Sequence, residues 1–344
     1  MMRTILVTGG AGFIGSNFVH FVRKHRPGLK IINLDALTYS GNLENLRALE
    51  GDGSHEFVKG DIVDRAVVDP LVERVDGVVH FAAESHVDRS ILDSGPFVRS
   101  NVQGTQALLD AVRASKGGLE KRFVHVSTDE VYGSLPLERE DLKFTEETPL
   151  APNSPYAASK AASDCFVRAA HHTFGMPTMI TRCSNNFGAF QFPEKVIPLF
   201  VTNLMEGKKV PLYGDGLNVR DWLHVEDHCE AVLTVLEKGK AGEVYNVGGN
   251  NERSNLELTH LILSIMGKDE GWIERVKDRP GHDRRYAIDS GKIQRELGWK
   301  PSRSAWPGAL EETVEWYRTN REWWERVRSG AYREYYARQY ASRV

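Results

Sequence analysis

The stretch Thr8-Gly9-Gly10-Ala11-Gly12-Phe13-Ile14-Gly15 constrains this chain more than any other. It follows a β-branched and apolar run at residues 3–8 (RTILVT). Residues 13–24 come next, a predicted helix that buries Phe13, Ile14, Phe18 and Phe21 or Val22. In a strand, glycine turn and helix in immediate succession, each glycine has its own use. Gly9 permits the turn, Gly12 lets backbone approach a pyrophosphate, and Gly15 allows close helix packing. The helix N-terminus adds amides and positive dipole, both favourable to an anion. Asp35 stands twenty residues beyond Gly15, at the end of a second apolar run. Its carboxylate suits the hydroxyls of an adenosine ribose and would repel a 2′-phosphate, which favours NAD over NADP.

The strand-then-helix pattern recurs. Predicted strands at 30–34, 56–58, 77–81, 122–127 and 178–181 are separated by helical stretches such as 97–115 and 156–174. Apolar strands alternating with helices indicate an α/β fold, a Rossmann-type doubly wound parallel sheet. After Cys183 turn signals multiply, at Gly214-Asp215-Gly216 and at 246–251. The chain therefore reads as an NAD-binding Rossmann domain over 1–183 and a smaller mixed α/β substrate-binding lobe over 184–344, with segments such as 242–247 returning to the main sheet. The tail, 310–340, is helix-like and crowded with Trp316, Tyr317, Trp323, Trp324, Tyr335 and Tyr336; packing onto the body is its expected role.

Composition narrows the ligand. With 344 residues, 41% of them hydrophobic, the chain has ample material for a core. Its 44 Lys and Arg against 47 Asp and Glu, a formal net charge of −3, supply no global field for nucleic acid or an anionic membrane. An anionic ligand must be held by a few placed cations. No run approaches the ~18 apolar residues of a membrane span. Cys165, Cys183 and Cys229 lack the close spacing of a metal or redox motif and suit a reducing cytoplasm. The pairs His224/His228 and His171/His172 have no convincing third ligand, so no metal is expected.

Further cofactor contacts follow from strand ends. Asp61-Ile62 after the third strand is positioned for the adenine, and Ala82-Ala83 after the fourth is small enough for a cofactor to lie against backbone. Tyr156 and Lys160 are four apart in a helix announced by Ser154-Pro155, hence on one face. A phenol, with pKa about 10, becomes a useful base only when positive charge stabilises its phenolate. Lys160 and an oxidised nicotinamide are the expected sources of that charge. The fifth strand runs out into Thr128-Asp129-Glu130, which puts Thr128 at the crevice beside Tyr156.

Through TGGAGFIG, Thr128 and YAASK the chain resembles the extended short-chain dehydrogenase/reductase superfamily and, within it, the dTDP-glucose 4,6-dehydratases. The resemblance covers nearly the whole chain: AAESHVDRSI (82–91), STDEVYG (127–133), SPYAASKAASD (154–164), CSNNFG (183–188), QFPEKVIP (191–198), RDWLHVEDHC (220–229), NVGGNNERSN (246–255) and DRPGHDRRYAID (278–289). The Asp129-Glu130 pair is its specific element, since sugar-nucleotide epimerases share the turn and the Tyr/Lys pair but generally lack those acids. The resemblance implies oxidation at sugar carbon 4 with Tyr156 as base, proton removal from carbon 5 by Glu130, and protonation of the departing carbon 6 hydroxyl by Asp129. Hydride then returns to carbon 6. Asp129 must hold a proton near neutrality, for which burial beside Glu130 is the expected cause.

The resemblance also implies substrate contacts. Ser85 touches the glucosyl unit; Asn185, Lys195 and Val196 lie near sugar and phosphates; Pro211, Leu212 and Tyr213 pack around the base. Arg220 and Asn255 face the diphosphate, with Asp278, Arg279 and His282 adding further contacts, and Asn186 lies on the nicotinamide side. Asn185-Asn186-Phe187-Gly188-Ala189-Phe190 departs from the usual N-N-Y-G-P-Y, losing two hydroxyls and a proline. Relatives pair two helices with their copies, so a homodimer through 97–115 and 156–174 is expected. A sugar-nucleotide 4-epimerase, a dehydratase for another nucleotide base and a non-catalytic NAD-binding protein are the competing readings.

Overall fold

The structure, a computed structural model, describes residues 2–278 and 280–328; Arg279 and the end of the tail, with Tyr335 and Tyr336, lie outside the described residues. Twelve strands occur in chain order among them. The first six are β1 (Thr4–Thr8), β2 (Lys30–Asp35), β3 (His55–Lys59), β4 (Gly77–His80), β5 (Arg122–Thr128) and β6 (Thr178–Cys183). They are followed by β7 (Asn185–Phe187), β8 (Val210–Tyr213), β9 (Val219–His224), β10 (Val244–Val247), β11 (Glu252–Ser254) and β12 (Ile273–Val276). The main sheet has the order β10-β6-β5-β4-β1-β2-β3, and every pairing in it is parallel. This is a Rossmann-type α/β fold.

Period-two alternation sorts the strand side chains onto two faces. Ile5 and Val7 join Phe18, Val19 and Val22 of the first helix, whereas Leu6 turns to Leu108, Leu109 and Val112 on the other side. Strand order reverses between β1 and β4, the switch point where carboxyl ends splay and leave a crevice. Thr8, Asp35, His80 and Thr128 end four neighbouring strands there.

The helix expected at 97–115 starts earlier, at Gly95–Phe97, because Pro96 occupies its first turn, and continues to Ala114. Its middle, Val98–Gln103, is a π-turn. That widened turn contains the buried Asn101, whose amide accepts from Glu84 N (2.8 Å) and donates to Glu84 O and Ser159 Oγ (2.9 and 2.8 Å). Helix Pro155–Phe174 starts as its sequence signals, with Ser154 Oγ accepting from Ala157 N at 3.1 Å.

Beyond Cys183 the chain alternates between two bodies. Strand β9 pairs with β7 and β11 in a three-stranded sheet, and β8 pairs with β12. These strands and helices Val196–Met205, Asn255–Ile265, Gly308–Thr319 and Arg321–Val327 surround a separate core containing Phe187, Trp222, Leu310 and Trp324. Between them, helix Val225–Lys238 packs on β5, β6 and the first helix, and β10 extends the main sheet beside β6. The described part of the aromatic tail forms two helices that meet at Asn320 and buries Trp323 and Trp324. No helix among the described residues is long and apolar enough to cross a membrane.

Candidate active site

One groove runs across the carboxyl ends of the main sheet. It is lined by Gly9, Gly12, Phe13, Ile14, Gly15, Asp35, Asp61, Ile62, Ala82, Ala83 and Ser85 from the first half, by Thr128, Asp129, Glu130, Tyr156 and Lys160, and by Asn185, Asn186 and Lys195 from beyond β6. All the residues assigned from sequence to chemistry and to the cofactor thus share one crevice.

The glycine turn is shaped by what it cannot accommodate. Gly9 has φ +75°, and a Cβ there would sit 2.6 Å from the Ala82 nitrogen; a Cβ at Gly15 would collide with the Gly9 carbonyl. At Gly12 the nearest atom to such a carbon is the Gly9 oxygen at 3.4 Å, so that side of the turn is open. Gly12 caps a helix with no acid in its first turn and no side-chain cap, as an anion site requires. Asp35 braces the turn by accepting from Ala11 N (2.9 Å) and Leu37 N (2.8 Å), and burial pushes its carboxyl up despite these bonds. Asp61 accepts from Val63 N (3.1 Å) and pairs with Arg99 (2.6 Å).

The acid pair follows β5 in a 3-10 turn, Asp129–Tyr132. Thr128 Oγ1 donates to Asp129 Oδ1 (3.3 Å), accepts from Glu130 N (3.3 Å) and hydrogen-bonds the Tyr156 side chain. Asp129 is 1% exposed, and its Oδ2 is buried with no hydrogen-bond partner among the described residues. Burial first, then the charges of Glu130 and Asp221, hold its carboxyl well above the usual range, against the opposing pull of Arg220. The direction of that shift favours the protonated form of Asp129. Asp221, to which sequence reasoning gave no function, accepts from Gly249 N (2.8 Å) and Asn251 N (2.7 Å).

Lys160 differs from the expected arrangement. It lines the groove with Tyr156, but its ammonium donates to the Val126 carbonyl (2.8 Å) and lies 3.3 Å from His125 Nε2. Burial draws it down to about 8, and Asp164 pulls the other way. Asp164 Oδ2 accepts from Arg182 Nε (2.9 Å), Arg182 Nη1 donates to Tyr132 OH (2.9 Å), and that hydroxyl donates to Asn246 (2.8 Å). Burial, and next the charge of Glu130, raise the Tyr156 phenol well above its ordinary value, so it keeps its proton in this state. His125, Asp164 and Arg182 escaped sequence reasoning because nothing in strand or helix spacing reveals which polar residues face one another across a buried sheet.

The proposed substrate residues fall in two groups. Lys195 Nζ donates to the Ser85 carbonyl (3.1 Å), tying the two sides of the groove, and Asn185 Oδ1 is buried with no partner among the described residues. Asn186 is oriented by His228 Nδ1 at 2.9 Å from its Oδ1. Val196, Pro211, Leu212, Tyr213, Arg220, Asn255, Asp278 and His282 do not line this groove. They belong to the second body: Tyr213 OH reaches Asp88 (3.5 Å), His282 Nδ1 lies 2.6 Å from Asp278, and the Tyr213 and His282 rings meet edge-on at 6.2 Å. The Arg220 guanidinium donates to the Asp283 carbonyl (2.9 Å) and covers the Tyr286 ring at 4.2 Å. Arg279 lies outside the described residues.

The altered stretch after β6 is aromatic. Phe187 is fully buried, edge-on to Trp222, His224 and Trp306. Phe190 is half-buried beside His20, Trp316 and Trp323, so both phenylalanines pack among aromatic rings.

The family described as GDP-mannose 4,6 dehydratase matches residues 6–309. A dTDP-glucose 4,6-dehydratase of Xanthomonas campestris pv. campestris (strain B100) is 54% identical over 349 residues, covering 96% of this chain and 98% of that protein. The solved dTDP-glucose 4,6-dehydratase of Streptomyces venezuelae, with NAD bound, is 51% identical and superposes with a TM-score of 0.90, covering 94% of this chain and 99% of that one. By contrast, a UDP-glucuronic acid 4-epimerase of Bacillus cereus is 27% identical at a TM-score of 0.83, covering 92% and 99%. The fold is shared with the epimerase, but the sequence identity lies with the dehydratases: the chain belongs to the dTDP-glucose 4,6-dehydratase family.

Proposed function

We propose that the chain converts dTDP-glucose to dTDP-4-keto-6-deoxyglucose and water, with NAD as a recycled cofactor. The residues present fit that cofactor: an open face at Gly12, an uncapped helix start without acids, and a buried carboxylate at the end of β2. Gly9, Gly12, Gly15 and the first-helix amides would hold the pyrophosphate, Asp35 the ribose, Asp61 and Ile62 the adenine, and Asn186 the nicotinamide side. When bound, oxidised NAD supplies a reversible hydride acceptor and a positive charge near Tyr156. Tyr156 takes the proton from the carbon 4 hydroxyl, with Thr128 orienting it and Lys160 stabilising its charge from behind. The resulting ketone acidifies carbon 5. Glu130 removes that proton while Asp129 delivers its own to the carbon 6 hydroxyl, which leaves as water; the hydride that the cofactor would hold returns to carbon 6 and a proton returns to carbon 5, which completes the 4-keto-6-deoxy product.

One observation carries this reading: a fully buried carboxyl, pushed well above its usual range, stands beside a second carboxylate and next to the threonine that bonds Tyr156. An epimerase needs no acid at carbon 6. Incubation with dTDP-glucose and NAD is expected to give a product lighter by one water that absorbs in alkali. Recovery of the carbon 4 epimer without water loss would overturn the proposal, and a panel of other nucleoside-diphosphate glucoses tests the base.

The Rossmann body, with β10 and helix Val225–Lys238 included, is assigned to NAD, and the remainder beyond residue 183 to the nucleotide sugar. Pairing of two copies through helices 95–114 and 155–174 is supported by Val98, Phe166 and Phe174, all exposed. Phe166→Glu is expected to halve the sedimenting mass; a parent that sediments as a monomer would refute the pairing. A cytoplasmic setting fits three cysteines that are all free.

A further inference from the structure

Two sequence features play no part in the proposed reaction: the aromatic tail and the Phe187/Ala189/Phe190 departure. They meet in the fold. Phe190 adopts φ +65° and stacks beside His20 of the first helix at 6.0 Å, with Trp316 and Trp323 edge-on at 5.0 and 5.9 Å. The preceding carbonyl, that of Ala189, accepts from Asn17 Nδ2 of the same helix at 2.9 Å. A bulky residue at positive φ is strained, so this box of rings must hold it.

A polar path runs from the box to the glycine turn. Trp323 Nε1 donates to Asn45 Oδ1 at 2.9 Å, and Asn45 Nδ2 donates to the Ala11 carbonyl at 2.9 Å. Asn45 is 2% exposed, and its two partners permit one orientation only. Flipped, its oxygen would oppose the Ala11 oxygen and its NH2 would oppose the indole N–H. The Ala11 carbonyl shares a peptide plane with the Gly12 amide, which closes the turn onto the Gly9 carbonyl at 3.2 Å. Ala11 N is held in turn by Asp35. A helix of the second body thus reaches the centre of the turn through one buried side-chain amide.

We propose that Trp323, acting through Asn45, is a positioning residue for the dinucleotide turn, so that the C-terminal helix pair sets how firmly NAD is retained. The inference rests on the NAD site proposed above. The second helix of the pair makes the connection to the turn, while the first reaches the groove's other wall: Tyr317 OH donates to the Gln191 carbonyl (2.6 Å), and Gln191 Nε2 donates to the Asn186 carbonyl (2.8 Å).

Trp323→Phe keeps an aromatic ring in the box but removes the donor together with part of the indole volume, which lowers stability on its own. NAD affinity, read by equilibrium dialysis of the full-length protein, is expected to fall roughly tenfold, the scale of one buried hydrogen bond with its stranded partner. At saturating NAD, kcat and the nucleotide-sugar KM should stay within about twofold of the parent. Asn45→Ala should reproduce the loss, and the double variant should be no worse than the larger single, because both break one path. If Trp323→Phe fails to fold, Asn45→Ala carries the test alone. Parental NAD affinity in a variant that merely melts earlier would overturn the inference, as would additive losses. A parent protein that binds no NAD overturns both this inference and the proposed function.

Discussion

Asp129→Asn separates the two halves of the proposed reaction. The amide is nearly isosteric, and its oxygen can still accept from Thr128 at the Oδ1 position, so local geometry should persist. What disappears is the only proton on the group. General acid catalysis typically contributes about 10²–10⁴ in rate, so elimination should slow by that factor, on the order of 3–5 kcal/mol of barrier. Oxidation at carbon 4 uses Thr128 and Tyr156 and should change by less than about tenfold. Rapid-quench mass spectrometry on one turnover is expected to find the 4-ketoglucose nucleotide accumulating to a higher level than in the parent. Stability should move the opposite way. The folded-state pKa of Asp129 is raised, so the folded chain holds a proton that the unfolded chain has released; stability falls as pH climbs from the ordinary carboxyl range through the raised value. Each unit of that displacement corresponds to about 1.4 kcal/mol, and the neutral amide removes the penalty. Asp129→Asn should therefore unfold at a higher temperature than the parent near neutral pH. Unimpaired dehydration in the quench experiment would refute the acid role, and a lower unfolding temperature would refute the burial argument.

Asp164 raises the Lys160 pKa against burial, and Lys160 must be charged to support a phenolate. Asp164→Asn should shift the alkaline limb of the oxidation step toward lower pH, by on the order of one unit, with activity recovered on the acid side; an equal loss at every pH would indicate a merely structural role. The two glycines of the turn should behave differently. Gly12→Ala meets only the Gly9 oxygen at 3.4 Å and should melt like the parent while binding NAD at least about tenfold more weakly. Gly15→Ala collides with the Gly9 carbonyl and should lower stability itself by about 1–3 kcal/mol, read by denaturant unfolding.

Local pattern was enough to reveal the glycine turn, Asp35, the Thr128-Asp129-Glu130 run and the Tyr156/Lys160 face. Each is carried by a single strand end or helix face, where i, i+2 or i, i+4 spacing already fixes direction. The groove that lines up all of them follows from the parallel sheet those strands form. Of the segment 242–247, expected to return to the main sheet, Val244–Val247 does so as β10 beside β6. By contrast, the π-turn around Asn101, the crossing of Val225–Lys238 back to the first body and the two small sheets of the second body depend on what packs against them.

The sequence alone determined which chemistry-bearing groups exist and on which strand ends they stand, because backbone periodicity aims a side chain without reference to distant residues. Only the tertiary structure decided their protonation and support. Burial first, and then the charges of Glu130 and Asp221, push the Asp129 carboxyl well above its ordinary range. Lys160 turns to Val126 and His125 because β5 runs beneath its helix. Trp323 meets Asn45 across 278 positions of chain, and through it Ala11. Charge and hydrogen bonding act through distance and burial, and neither quantity is written along a chain until it folds.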